Sequence, residues 1–350
     1  MTVKRPTLAD VAGRAGVSTA VVSYVLNDGP RPVSDALRAK VLAAADELNY
    51  RPDRLARALR RPRRWRQIGL IVPDLTMPLY AALVGRTEIE ARARDHLTMI
   101  GNSGYDPERE REFATAFTDV GIDGLIVVGA VDPVETGAVC ARARMPVVWV
   151  HNTRTPVDSP IVGADHVAAG ALAARHLRET HGCRDIVFVG GFTAEDVRYG
   201  DRETVEQRYR GFAAVAGADA AVIHTDLSAE GAYRAVREHL RGRPEPPHGM
   251  VVGTNAQAAA TVRALTDAGL DIPHRIRVVG FDTGPAQLFA QITLTSIQQP
   301  IDTITRLALD RLLTTTPEPT APAPLPVTLH PGESCGCAPP AIDFPLIPRR

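Results

Sequence analysis

Along the first fifty residues, apolar positions recur three and four apart, the spacing of one helical face, in three short blocks. Leu8, Val11 and Ala12 make the first stripe, and Thr7 before them is an N-cap for a helix running to about Ala15. Gly16 marks a turn, with Val17 packed beneath it. Ser18 caps a second helix from Thr19 to Leu26, whose Val21, Val22, Val25 and Leu26 face inward. A third helix, capped by Ser34 and running to about Leu48, turns Leu37, Val41, Leu42, Ala45 and Leu48 to the core. A small Ala12, a glycine turn and a branched Val22 suit two helices crossing at short range, so residues 7–27 read as a helix-turn-helix.

Beyond residue 66 the pattern changes to apolar runs alternating with helical segments. The runs 68–72, 97–100, 125–128 and 147–150 alternate with helices around 80–94, 108–120 and 134–143. The rhythm then repeats, with strands at 186–189, 221–224, 250–252 and 278–280 and helices near 167–181, 204–216, 229–241 and 255–268. This is the pattern of parallel sheets with crossover helices, and two such halves imply a ligand cleft outside the carboxyl ends of their strands. Residues 291–300 are expected to carry the chain back to the first half, ahead of a helix over 301–313. Five prolines in 317–326 predict an extended crossing before a last strand at 327–329, and 338–350 reads as a loosely docked or disordered tail.

Charge changes what the head is expected to do. The 350-residue chain is formally neutral, yet residues 1–66 hold 14 Lys and Arg against 6 Asp and Glu, while the rest hold 26 against 34. A basic head on an acidic body is attracted to a polyanion at one end only. In a helix-turn-helix the start of the second helix meets base edges, which makes Thr19, Ala20 and Tyr24 the expected base readers. Thr7, Ser18, Ser23 and Asn27 are placed against the phosphate backbone of double-stranded DNA. Pro52 and Asp53 then open a short segment with Leu55, Ala56 and Leu59 among Arg51, Arg54, Arg57 and Arg60. It is too short to be a stable helix alone, so it is either a disordered basic linker or a helix that forms when DNA and a dimer partner bury it.

The absence of a run of eighteen apolar residues or a signal-peptide core predicts a cytoplasmic, nucleoid-associated protein with no membrane partner. Four cysteines do not make a disulfide framework at this length and read as reduced.

The runs Thr7-Leu8-Ala9-Asp10-Val11-Ala12, Ala15-Gly16-Val17-Ser18, Val22-Ser23-Tyr24-Val25-Leu26-Asn27, Tyr50-Arg51-Pro52 and Ala56-Arg57-Ala58-Leu59 closely resemble the lactose-repressor (LacI/GalR) family of bacterial transcription regulators. Further on, Ile68-Gly69-Leu70-Ile71-Val72-Pro73-Asp74, Arg208-Tyr209-Arg210-Gly211-Phe212 and Val278-Val279-Gly280-Phe281-Asp282 extend the resemblance over about 330 residues. These resemble a type I periplasmic-binding-protein-like effector core. The resemblance implies an all-α DNA-binding head at 1–52, a hinge helix and linker at 53–65, and a two-subdomain α/β core at 66–337. The expected first subdomain is 66–163 plus 293–325 and the second 164–292 plus 326–337. It also implies a homodimeric repressor on a near-palindromic operator, controlled by a small-molecule effector, a sugar or related metabolite, in the cleft of the core. Leu59 becomes the apolar wedge in the minor groove, and Asp53 departs from the usual Asn.

Strand ends supply the cleft candidates: Thr76, Tyr80, His151, Asn152, Phe192, Asn255 and Asp282, with Arg208 near the start of a helix. In the family the positions of Arg208, Asn255 and Asp282 contact the effector. From the residues alone, Arg208 could equally form a surface pair, Asn255 cap its helix and Asp282 brace the Gly280 turn. Where the family commonly has Asn-Asp after a strand this chain has Asn255-Ala256, and where it commonly has Asp at the fourth strand this chain has His151. Both changes remove carboxylates, which predicts a less hydroxylated or anionic effector paired with Arg208 and His151.

Catalytic signals are weak. Gly332-Glu333-Ser334-Cys335-Gly336 has nucleophile-elbow spacing but lies in a proline-rich stretch, and no glycine loop has dinucleotide or P-loop spacing. His176, His181 and Cys183 match no standard metal spacing and the histidines read as helix-surface residues, while Cys335 and Cys337 are only a Cys-Gly-Cys. The expectation is a regulator with no enzymatic activity, cofactor or metal. The competing reading is a cytoplasmic solute-binding sensor with non-specific nucleic-acid affinity.

Overall fold

The computed structural model describes residues 6–27, 33–48, 50, 66–155, 157, 161–197, 200–217, 219–241, 245–284, 287, 289–314 and 323–339. The chain divides into two units, 1–64 and 65–350. In the first, α1 (Leu8–Ala15), α2 (Thr19–Asn27) and α3 (Asp35–Glu47) bury Val11, Ala12, Ala15, Val22, Val25, Val41, Ala44 and Ala45 together. Thr7 and Asp10 exchange side-chain and backbone hydrogen bonds in a capping box that opens α1. The helix ends on Gly16, where the amide of Val17 bonds the carbonyl of Ala12 at 3.0 Å. Two expectations need correction. Leu42 is 46% exposed because it sits one position off the face shared by Val41, Ala44 and Ala45. Ser34 occupies the N-cap position of α3, yet its side chain makes no capping bond.

In the second unit, β1 (Arg66–Val72), β2 (His96–Asn102), β3 (Gly124–Ala130), β4 (Val147–Thr153) and β5 (Ile161–Val162) form a parallel sheet in the order β2-β1-β3-β4-β5. Alternation along β1 sends Ile68, Leu70 and Val72 to one face, where α4 (Pro78–Arg92) and, from far along the chain, α11 (Ile301–Leu313) cover them. Ile71 joins the other face, covered by α5 (Pro107–Val120) and α6 (Pro133–Arg142).

The second sheet runs β11-β10-β9-β8-β6-β7, built from β6 (Ile186–Gly190), β7 (Val222–His224), β8 (Gly249–Val252), β9 (Arg277–Phe281), β10 (Thr295–Gln298) and β11 (Thr328–His330). It is parallel except for β11, which is antiparallel to β10. α7 (His166–Arg175) and α8 (Arg202–Ala216) pack on one face around Phe188 and Phe212, while α9 (Ala229–Leu240) and α10 (Asn255–Asp267) pack on the other. α7 and α8 meet backbone to backbone. A Cβ added at Gly170 would fall on the carbonyl oxygen of Arg208, and one at Gly211 on that of Val167.

The helix expected over 167–181 is regular only to Arg175 and then widens into a π turn, His176–Thr180. The return segment is also corrected. Residues 295–298 belong to the second sheet as β10, so the crossing back to the first lobe falls at 299–300 rather than at 293. Ala164 pairs with Leu325 where two further crossings run side by side. The proline-rich stretch lies outside the described residues at 315–322, as does the tail from 340 onward. Among the described residues, no helix is long and apolar enough to cross a membrane.

Candidate functional site

A cavity of about 480 Å³ opens at the carboxyl ends of the strands of both lobes, the position expected for a ligand in open α/β sheets. Its lining joins Asp74, Tyr80, Tyr105 and His151 from the first lobe to Asp201, Arg208, Asn255 and Asp282 from the second. Five of the expected residues therefore meet here: Tyr80, His151, Arg208, Asn255 and Asp282. Three of the lining residues hold left-handed backbone without being glycine: Tyr105 at φ 59°, His151 at φ 73° and Asp282 at φ 52°. Such conformations persist where surrounding bonds over-determine them.

A hydrogen-bonded chain crosses the cleft. Asp201, N-cap of α8, accepts from His151 Nε2 at 2.7 Å, and His151 Nδ1 faces Gln299 Oε1 at 3.2 Å. Gln299 Nε2 then donates to Asp282 at 2.8 Å, and Arg208 Nη2 donates to the same oxygen at 2.7 Å. Arg208 Nη1 donates to the carbonyl of Gly253 at 2.8 Å, and its guanidinium lies 4.1 Å over the Phe281 ring. Burial alone would raise the Asp201 carboxyl. The hydrogen bond and charge of His151, then the hydroxyl and amide of Thr204, outweigh it and hold the group well below the usual carboxylate range.

These contacts decide between the readings left open above. Arg208, 4% exposed, is no surface residue, and Thr254 rather than Asn255 caps α10. Asp282 bonds the amide and side chain of Gln299 instead of bracing Gly280. Asn255 Nδ2 and Arg208 Nε are buried without a protein partner, which leaves two donors for a ligand. Burial pushes the hydroxyls of Tyr80 and Tyr105 up, so both stay protonated, with Tyr105 donating to Tyr80 at 3.3 Å.

The expectation of an anionic effector is corrected. The Arg208 guanidinium and the His151 ring named for it already face carboxylates, and the described lining holds Asp74, Glu195, Asp196, Asp201, Asp226 and Asp282 against Arg208 alone among Lys and Arg. Another anion would enter a field of its own sign. Two expected contacts also fall away. Thr76 is exposed, and its amide and hydroxyl fold back onto Asp74 at 2.8 and 2.7 Å. Phe192 stacks on Tyr209, with centroids 4.6 Å apart, and is not part of the lining. Asp201 and Tyr105 were missed, although an Asp three residues before Thr204 at a helix start is a readable capping pattern. Asn152 reaches the second lobe through Thr204 at 3.3 Å.

His166 opens α7 beside His151, with ring centroids 5.0 Å apart, and neither of its ring nitrogens has a partner. Burial, then His151 and Arg208, hold its pKa well below the ordinary histidine value, with Asp201 pulling weakly the other way. The folded state therefore leaves this ring neutral while the unfolded chain protonates it, so stability is full above about pH 6.5 and falls as pH drops below that. Urea midpoints measured between about pH 7 and 5 should fall more steeply for the native chain than for His166→Leu. Equal slopes would remove His166 as the cause. Asp201, depressed rather than raised, adds a separate loss at lower pH, as pH falls from the ordinary carboxylate range toward its folded value.

On the head, Ser18, Thr19 and Ala20 are exposed, while Ser23 and Tyr24 are half-buried along α2. Ser18 accepts from the amide of Val21 at 3.4 Å, and Thr7 is engaged in its capping box. The side chain of Asn27, and Arg51, Arg54, Ala56, Arg57, Leu59 and Arg60, lie outside the described residues. A separate group contradicts the reading of His176 and His181 as surface histidines. His176 is buried, and both approach Cys335 and Cys337, whereas Cys183 is not among them.

Residues 7–53 match the family described as bacterial regulatory proteins, lacI family, and residues 174–335 match the periplasmic binding protein-like domain. The ribose operon repressor of Escherichia coli K12 is 30% identical over 321 residues, covering 90% of this chain and 94% of that protein. The transcriptional repressor PurR of Pectobacterium atrosepticum is 31% identical, covering 88% and 89%. Among solved structures, the lac repressor dimer bound to operator and the anti-inducer ONPF superposes with a TM-score of 0.68 at 26% identity, covering 95% of this chain and 99% of that one. A LacI-family regulator from Enterococcus faecium with bound ribose gives 0.63 at 26% identity, covering 78% and 99%.

Proposed function

Because this chain belongs to the LacI family of bacterial regulatory proteins, we propose that it is a homodimeric, cytoplasmic transcriptional repressor whose hold on a near-palindromic operator is set by a small neutral polyol in the cleft. The observation that carries the ligand class is the charge state of the cleft. The Arg208 guanidinium is already matched by the Asp282 carboxylate, and the remaining acids, the two tyrosine hydroxyls and the Asn255 amide suit hydroxyl groups. A sugar or nucleoside fits these donors and acceptors; the family's ribose-bound relative is consistent with that class.

The head supplies the readout. Thr19, Ala20 and Tyr24 on α2 face base edges, Thr7, Ser18, Ser23 and Asn27 hold phosphates, and residues 53–60 act as a paired hinge with Leu59 as its wedge. The ligand contacts come from both lobes, so binding favours one spacing of the lobes over another, and the hinge follows. That coupling equals the difference in ligand affinity between the two states.

A thermal-shift screen of neutral sugars and nucleosides against matched anions, scored again by release from a footprinted operator, tests the whole reading. Stabilisation by anions alone would overturn the ligand class. Protection of random DNA as strong as that of any palindrome would favour a sensor with non-specific nucleic-acid affinity. Tyr24→Ala should flatten base preference at its contacted position, costing about 1–3 kcal/mol of discrimination while leaving non-specific binding near its native value. A uniform loss across sequences would instead make Tyr24 a backbone contact.

A further inference from the structure

Outside the cleft, four metal-ligating side chains converge on the second lobe. Nε2 of His176 lies 3.2 Å from Nε2 of His181, 3.3 Å from Sγ of Cys335 and 3.8 Å from Sγ of Cys337. Nε2 of His181 is 3.4 Å from Sγ of Cys337, and all four ligand atoms lie within 4.8 Å of one another. With zinc–nitrogen and zinc–sulfur bonds of ordinary length, the edges of a tetrahedron come to about 3.3 Å for N–N, 3.6 Å for N–S and 3.8 Å for S–S. The four separations involving a histidine given above fall within about 0.3 Å of these values, and the remaining two are no longer than 4.8 Å.

Local structure brings the ligands together by two devices. Residues five apart on a regular α-helix stand about 140° apart around the axis, which would point His181 away from His176. The π turn at His176–Thr180 is wider, and it returns the fifth residue to nearly the same face. The ring centroids are then 4.7 Å apart. On the other strand of chain, Gly336 at φ 93° turns the backbone between Cys335 and Cys337 so that both sulfurs face the rings.

The surroundings hold the cysteine segment in place. The Thr295 hydroxyl lies 2.8 Å from Cys335 Sγ, Arg277 Nε donates to the Cys335 carbonyl at 3.1 Å, and Ser334 donates to the Val278 carbonyl at 2.6 Å. Cys335 is fully buried, while His181 and Cys337 are half-buried, which leaves a route for an ion to enter.

We propose that His176, His181, Cys335 and Cys337 bind a zinc(II) ion that fastens residues 332–337 to the π turn of α7. Two thiolates and two imidazoles are the donor set of a closed structural zinc site, whereas calcium and magnesium require oxygen. All four positions come from protein, so no open position remains for a substrate. None of the four lines the effector cleft, so the site and the repressor reading stand or fall separately.

The test uses the full chain, untagged, purified under reducing conditions with zinc supplied. About one equivalent of zinc should copurify. After chelation, titration with cobalt(II) should give intense visible bands of a tetrahedral ion and a near-ultraviolet thiolate-to-cobalt band. The Cys337→Ser variant alters the more exposed sulfur; it should lose about half of that near-ultraviolet intensity, one of two thiolates, while circular dichroism stays native. Protein that holds no zinc and takes up no cobalt would overturn the proposal. So would a Cys335–Cys337 disulfide found by mass spectrometry in the freshly reduced protein, or a cobalt spectrum unchanged in Cys337→Ser.

Discussion

Asp282→Ala is expected to lower the stability of the effector core by about 3–5 kcal/mol, read as a fall in the urea midpoint at unchanged slope. Arg208 is 4% exposed and draws its counter-charge from Asp282 at 2.7 Å, so the substitution leaves a buried guanidinium without its anion. The same change strips the amide and side chain of Gln299 of their acceptor. A double variant, Asp282→Ala with Arg208→Met, separates the causes. Removing both charges should recover much of the loss, because an apolar pair avoids the desolvation of an unpaired ion. If the double variant is as unstable as the single one, the lost acceptor at Gln299 rather than the stranded charge is responsible. Both variants should also lose ligand-driven operator release.

Gly211→Ala should destabilise the same core by about 3 kcal/mol, at the upper end of overpacking, and lower the yield of folded protein. The added methyl would occupy the position of the Val167 carbonyl oxygen, and backbone can retreat only if α7 and α8 separate. Gly170→Ala meets the Arg208 carbonyl in the same way and should also disturb the cleft, since Arg208 is the residue displaced. Gly85, inside α4, has open space where its Cβ would sit. Gly85→Ala should therefore raise the thermal midpoint, by about 0.5–1 kcal/mol of stability. Calorimetry of the three variants side by side decides the matter, and a Gly211→Ala protein as stable as Gly85→Ala would refute the close crossing.

Much of this was legible in the chain before any coordinates. Periodicity placed the three head helices and the alternation of the core because each element is amphipathic or wholly apolar over its own length. What escaped depended on partners distant in sequence. The strand Thr295–Gln298 carries three polar residues around a single Ile297 and becomes a strand only because β9 and β11 flank it. Arg208 and Asp282 could be named as cleft residues, yet their mutual pairing across 74 positions could not, and the expected anion followed from treating Arg208 as free. His176 and Cys335 lie 159 positions apart, so no local spacing rule brings them together. Phe192 was misjudged for the opposite reason. A strand-end aromatic is a natural cleft residue until Tyr209, about two turns into α8, offers a closer face.

α7 begins at His166, against the His151 ring, and gives way at Arg175 to the turn that carries His176. Ten residues at 1.5 Å each make it a beam about 15 Å long, seated backbone to backbone on α8 through its first half, at Val167 and Gly170. The two ends are therefore held by different means: close backbone packing fixes the histidine end at the cleft, and the other end runs into the π turn that carries His176.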